Sequence, residues 1–336
     1  MTRSPRRLAA PLLALALALG GCGDDDAEPG VDGGPGGGTD AGPVEADGGP
    51  MGGEDGGTAD GGTAETDAGP GGGEVLELVA GDWTMGAGDE GYVCVRRTLE
   101  RTVYIREFRP IAPRGTHHTV LTVNDRPGPD GVAPCSALTN GPDMIYGSGV
   151  GTRPLTLPEG VAIRVEAGDQ VLLNLHLFNT AGEPITGRSG IEVVTLAPED
   201  VEHEAQVVLA GAEGFSIPPR ASDHPIEGTC TMTGDTTLFA VMPHMHTHGR
   251  FMEVVANGAG GPRTLHEDFY DFDEQRYTTF DPLMLASGDT VDVSCRFDNT
   301  TDSTVTWGDS TLQEMCYALL YRYPAVPNPG GITCTR

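Results

Sequence analysis

The chain has no lysine. Its 20 basic residues, all arginine, stand against 49 aspartates and glutamates in 336 residues, for a formal net charge of −29. Nucleic-acid binding needs clustered positive charge at the phosphates, and this balance argues against it. Aromatic residues are scarce, at 6%, while 50 Gly and 26 Pro are present. That is too much Gly and Pro for one compact fold throughout, so part of the chain is expected to be a tether. No apolar run reaches the roughly 18 residues that a membrane-spanning helix needs. CxxC pairs are missing, which argues against a structural zinc site of that kind. HExxH, GxSxG, the Walker A loop and the dinucleotide fingerprint are missing as well. No long stretch carries helical periodicity.

What is present begins with an export signal. Arg3, Arg6 and Arg7 precede the apolar run Leu8–Leu19, too short to span a bilayer and right for a signal core. The run ends Leu19-Gly20-Gly21-Cys22, which resembles the bacterial lipobox. That resemblance implies cleavage before Cys22 and a diacylglyceryl anchor on it. The protein would then be exported and lipid-anchored to a bacterial membrane, at the periplasmic face or the cell surface, touching the membrane through that anchor only. An ordinary signal peptide with a chance Cys is the plainer alternative. Residues 23–74 hold 20 Gly, 14 Asp or Glu and no Arg. With almost nothing apolar to bury, this acidic Gly-rich segment is expected to be a disordered linker, with a span of about 40 Å as flexible coil. About half of the net charge sits on it.

From Val75 onward, short runs rich in Val, Thr, Leu and Tyr alternate with Gly, Pro, Asp and Asn turns. This predicts an all-β protein of β-sandwich or jelly-roll type. One strand places Val171, Leu173, Leu175 and Leu177 on one face and Asn174, His176 and Phe178 on the other. A second sets Val291, Val293, Cys295 and Phe297 against Asp292, Ser294, Arg296 and Asp298. The two match: Gly168-Asp169-x-Val171 leads to Asn179-Thr180, and Gly288-Asp289-x-Val291 leads to Asn299-Thr300 at the same spacing. We read two similar β-domains, residues 75–197 and 198–336, divided where Pro198 and acidic residues interrupt the strand pattern.

Beyond Cys22 six cysteines remain: Cys94, Cys135, Cys230, Cys295, Cys316 and Cys334. In an exported protein an even number suggests three disulfides, with fifteen possible pairings. Pairing within domains would force Cys94–Cys135.

Six of the nine histidines fall in three settings: His117-His118, His176, and His244-Met245-His246 with His248 close behind. On a strand, His244 and His246 share a face and could bind one metal. His117 and His118 point to opposite faces unless the backbone bends, which Gly115 could permit; spacing alone slightly favours one buried and one exposed ring. His176 would face solvent or a cleft. His203, His224 and His266 are isolated and read as surface or packing residues. Imidazoles with many methionines and no free thiol suit copper, especially Cu(I).

Taken in order, His117-His118-Thr119-Val120-Leu121, Leu175-His176, His244-x-His246-x-x-Gly249-Arg250 and Ser310-Thr311-Leu312-Gln313-Glu314-Met315-Cys316 resemble the motifs of the copper type II, ascorbate-dependent monooxygenases. Tyr92-Val93-Cys94 and Leu320-Tyr321-Arg322-Tyr323-Pro324 add to the resemblance, which runs from about Gly91 to Pro324. It implies two jelly-roll-like β-sandwich domains facing each other across a wet cleft, with two copper ions per chain. His117, His118 and His176 would hold the copper that supplies electrons. His244, His246 and Met315 would hold the copper that binds O2 and hydroxylates a small-molecule substrate, with ascorbate or another electron donor as co-substrate. His248 falls at a non-ligand position. Met315, taken alone, reads as core beside Tyr317, Leu319 and Tyr321. The resemblance also implies Cys295–Cys316 and Cys230–Cys334. Met242 stands where peptide-hydroxylating members carry a basic residue, and Leu319 where the family has Tyr, so a peptidylglycine-type substrate is not expected. A surface-tethered copper carrier without turnover is the alternative function.

Overall fold

The computed structural model describes residues 73–123, 128–137, 139–141, 143–308, 310, 312–326 and 333–335. The expected export signal, Cys22 and all but the last two residues of the expected linker lie outside the described residues. The described residues carry no α-helix, and none of their helices is long and apolar enough to cross a membrane. They belong to one structural unit.

The first ten strands are β1 (Val75–Met85), β2 (Glu90–Thr98), β3 (Val103–Ile111), β4 (Thr116–Val123), β5 (Gly131–Pro134), β6 (Asp143–Ser148), β7 (Leu155–Thr156), β8 (Val161–Val165), β9 (Gln170–Phe178) and β10 (Ile185–Thr195). They form two facing sheets, β5-β2-β9-β4-β6 and β1-β10-β3-β8, with β7 beside β3. Strand β11 (His203–Glu204) still pairs in parallel with β8, so the sheets change over between Glu204 and Gln206.

The second half has β12 (Gln206–Ala212), β13 (Ser216–Ile217), β14 (His224–Thr231), β15 (Thr236–His244), β16 (Gly249–Gly258), β17 (Gly261–Phe269), β18 (Thr278–Leu285), β19 (Thr290–Phe297), β20 (Val305–Thr306), β21 (Cys316–Tyr323) and β22 (Thr333–Thr335). Its main sheets are β18-β15-β21-β12-β22 and β14-β19-β16-β17. Disulfides join Cys94 to Cys135, Cys230 to Cys334 and Cys295 to Cys316.

The two matched segments are β9 and β19, and their flanking turns coincide bond for bond. Gly168 and Gly288 take φ of 91° and 96°, a region glycine enters freely. The carboxylates of Asp169 and Asp289 accept from the Glu166 and Ala286 N–H groups at 3.0 and 2.8 Å. Asn179 and Asn299 donate to the carbonyls of Glu183 and Ser303 at 2.9 and 2.8 Å.

The central strands β15 and β21 are buried along nearly their whole length. One face of β21 (Cys316, Ala318, Leu320) packs inside the second sandwich, while Tyr317, Leu319 and Tyr321 join the core of the first half. A sheet covered on both faces reads as a continuous apolar run. Tyr321 Oη donates to the Ile145 carbonyl across the junction (3.1 Å) and lies 2.9 Å from Tyr277 Oη. Tyr321→Ala should therefore cost about 3–5 kcal/mol, and denaturant unfolding of the parent chain should show one transition. Two separate transitions would mean that the halves do not depend on this junction.

Candidate metal centre

His117 and His118 come together through a β-bulge. Thr116 pairs with Leu177 and His118 with His176, leaving His117 as the extra residue in β4; a bulge of this kind re-aims a side chain. The entry to it is packed tightly. Gly115 has φ of 100°, and a Cβ there would come within 2.7 Å of the Trp83 ring. Trp83 Nε1 donates to Ser189 Oγ (2.7 Å), which also bonds Thr116 Oγ1 (2.6 Å). Both rings are half-buried, so the one-in, one-out arrangement that spacing slightly favours is not found.

His176 sits directly across from His118 and is buried. Its face of β9 is turned into the structure, because β9 is buried along almost all its length. The ligand atoms of His117, His118 and His176 lie within 4.8 Å of one another. Nδ1 of His118 is 3.0 Å from Nδ1 of His117 and 3.4 Å from Nδ1 of His176. The outer nitrogens are engaged elsewhere: His117 Nε2 with Asp273 Oδ1 (2.5 Å) and His176 Nε2 with Glu90 Oε1 (2.7 Å). A neutral imidazole donating from Nε2 presents a lone pair at Nδ1. Two such lone pairs converge on His118, which can answer at most one of them with a proton. That arrangement fits a bound cation.

The second group uses the opposite ring nitrogen. His244 ends β15 with Nδ1 on Gln275 Oε1 (3.0 Å), and His246 follows it with Nδ1 on the Gln313 carbonyl (3.0 Å). Their ring centroids are 5.3 Å apart. Below them Glu314, buried, accepts from the backbone N–H groups of His246 (2.9 Å) and His248 (2.7 Å). His248 turns Nδ1 towards the Asp298 carbonyl (3.2 Å). Met315 lines a cavity of about 100 Å³ together with His118, His244 and His246. One member of the first group therefore shares a cavity with the second, and the cleft between the groups is narrow. A larger cavity of about 430 Å³ also borders His118, His244 and Met315, with Met144, Leu209, Met242 and Leu319 as apolar walls. Met242 and Leu319 are cross-strand partners.

Of the isolated histidines, His203 stacks on Tyr323 and His266 lies 3.3 Å from Thr278 Oγ1. Sequence reasoning missed the loop between β17 and β18, which supplies Phe272, Asp273 and Gln275 to the centre; its one visible signal is the aromatic and acidic cluster Tyr270–Tyr277.

Burial disfavours the charged form of four of these imidazoles. Desolvation, aided by neighbouring rings, pushes His118 well below the ordinary value and His244 down to about 4. Desolvation also lowers His176, against the pull of Glu90, and His246. The same burial pushes the Glu314 carboxyl up to about 7. The signs differ. Between pH 6.5 and about 4 the unfolded chain takes up protons at His244 that the folded chain refuses, so acidification destabilises the metal-free fold. Glu314 binds its proton more tightly when folded, so its contribution falls as pH rises from about 4.5 to about 7. Four imidazoles outweigh one carboxyl. The denaturant midpoint of the metal-free protein should drop as pH falls from 6.5 towards 4, and His244→Asn should flatten that drop.

The family model described as "Copper type II ascorbate-dependent monooxygenase, C-terminal domain" matches residues 203–334. The human protein "Putative DBH-like monooxygenase protein 2" is 27% identical over 269 residues, covering 70% of this chain and 54% of that protein. The chain thus spans about half the length of that curated relative. Among solved structures, the Macrobrachium rosenbergii nodavirus aligns at 12% identity over 81% of this chain and 96% of its own, with a TM-score of 0.20. The VP2 subviral particle of infectious bursal disease virus aligns at 12% over 77% and 74%, with a TM-score of 0.19. Those two likenesses are too loose to carry an argument. Residues 203–334 are thus similar to the C-terminal domain of the copper type II ascorbate-dependent monooxygenases, and the chain over most of its length is similar to a DBH-like monooxygenase.

Proposed function

We propose that this protein is an exported, lipid-anchored monooxygenase that hydroxylates a C–H bond of a small organic substrate, using two copper ions, O2 and a reductant such as ascorbate. One observation carries the reading: His118, a member of the histidine cluster of the first half, lines one cavity together with His244, His246 and Met315 of the second. A carrier or buffer has no need for two dissimilar sites set against one another. Export and the anchor at Cys22 rest on the first 22 residues alone.

His117, His118 and His176 would hold one copper through Nδ1, since the Nε2 atoms of His117 and His176 are engaged outward. His244 and His246 would hold the other through Nε2, since their Nδ1 atoms are engaged, with the Met315 thioether as third ligand. Copper held in these places would supply one-electron redox chemistry and the activation of O2. The chain's own part is to set ligand type and access. Neutral imidazoles are ready to bind without first losing a proton. A thioether favours Cu(I), the state that must meet O2. Glu314 fixes the backbone under His246 and His248. The apolar walls of the larger cavity suit a compact, largely apolar substrate part. Met242 leaves no cation there for a substrate carboxylate.

The protein from Glu74 onward should bind two coppers per chain, measured by metal analysis after loosely held metal is removed. Met315→Ala should fold normally, lose affinity at one site in the reduced state and lose most hydroxylation. Oxygen uptake driven by ascorbate should accompany a hydroxylated product. Two tightly bound coppers without such uptake over a broad substrate screen would favour the carrier, and full hydroxylation by Met315→Ala would remove that ligand from the scheme.

A further inference from the structure

The loop Tyr270–Tyr277 leaves the second sandwich, passes between the two histidine groups and docks on the first half. It is held at both ends. Tyr270 Oη donates to the carbonyl of Met245, the residue between His244 and His246 (2.6 Å). At the far end Tyr277 Oη donates to the Gly147 carbonyl (2.8 Å) and accepts from the Gly147 N–H (3.0 Å). Between these anchors the backbone bonds to the first half twice: Val150 N–H to the Asp273 carbonyl (3.1 Å) and Thr152 Oγ1 to the Gln275 carbonyl (3.0 Å). The contact is close enough that a Cβ on Gly149 would meet Gln275 N at 3.0 Å and Asp273 O at 3.1 Å.

Two side chains of this strap, two residues apart, end on rings of different groups. Asp273 bonds His117 Nε2, and Gln275 bonds His244 Nδ1. Phe272 lies between them, its ring centroid 5.6 Å from His117, 5.8 Å from His118 and 6.5 Å from His246. The first histidine group is therefore incomplete within its own half: one of its three rings is oriented by a carboxylate from the other. A carboxylate on the outer N–H fixes ring orientation and raises the basicity of the ligating nitrogen.

We propose that Asp273 is a positioning residue which the second half contributes to the first metal site, and that the strap carrying it ties that site to the His244 ring through Gln275. The proposal rests on the copper assignment made above. It implies that the first half does not make a full-strength site by itself, and that a change at either group reaches the other through a few fixed bonds.

Asp273 suits a test because its side chain is 64% exposed, so truncation leaves no cavity. In the full chain, Asp273→Ala should keep its melting temperature when free of metal. Titration with Cu(I) against a chromophoric chelator should show one of the two sites weakened by about 10- to 100-fold. With Cu(II) bound, pulsed electron paramagnetic resonance should show a changed coupling from one remote imidazole nitrogen, a readout that loss of packing would not move. Asp273→Asn, which keeps an acceptor, should recover part of the affinity. If the parent chain binds two coppers and Asp273→Ala matches it in affinity and spectrum, the positioning role is overturned while the copper assignment stands. If the parent chain binds none, both fall together.

Discussion

Everything about the site depends on one sheet being apolar on both faces. Strand β21 sends Cys316, Ala318 and Leu320 into its own sandwich and Tyr317, Leu319 and Tyr321 into the core of the first half. Hydrophobic burial has no direction of its own, so the direction comes from strand alternation: each residue is committed to one core or the other. Because β21 is fixed between two cores, Met315 just before it and His244 beside Tyr317 are brought to a set depth and to the wall formed by β4 and β9. The candidate centre is assembled at the edge of a buried apolar junction.

A site so enclosed has an electrostatic character of its own. The chain carries a large negative charge, yet the donors in the cavity are neutral rings, and the carboxylates near them are held at the outer nitrogens or under the backbone. Desolvation, the largest influence on the four depressed imidazoles around the cavity, works in the same direction as metal binding: both favour the ring without its second proton. Burial that costs the metal-free fold under acid is what leaves the ligands available near neutrality.

Much of this was legible in the sequence, and what was not has a physical cause. The all-β class followed from Val/Thr/Leu runs between turn residues, and β9 and β19 were visible because period-two patterns are local. The histidines were visible as clusters, but their sorting into two copper sites, and Met315 as a ligand, came from the family resemblance alone. The bulge at His117 was not visible, because it is set by contacts with Trp83 and Ser189, far apart in sequence. His176 could be placed on a face but not in a setting, since only the neighbouring sheet decides whether that face meets water. Asp273 and Gln275 were invisible because a loop without periodicity gives no sign of where it docks. The double burial of β21 was half visible: its alternation could be read, but not that both faces are covered.

The matched turns around β9 and β19 bear on how the two centres relate. The frame is repeated down to single hydrogen bonds, yet the repeat does not carry the ligands. The place on β19 that answers to His176 on β9 is Arg296, and the second pair of rings is borne by β15 and its end, in the other sheet. The repeat therefore accounts for the frame and not for the placing of the candidate ligands. The two groups of side chains sit on different sheets of the repeated frame, so a substitution on β15 need not disturb the strand that carries His176, nor the reverse.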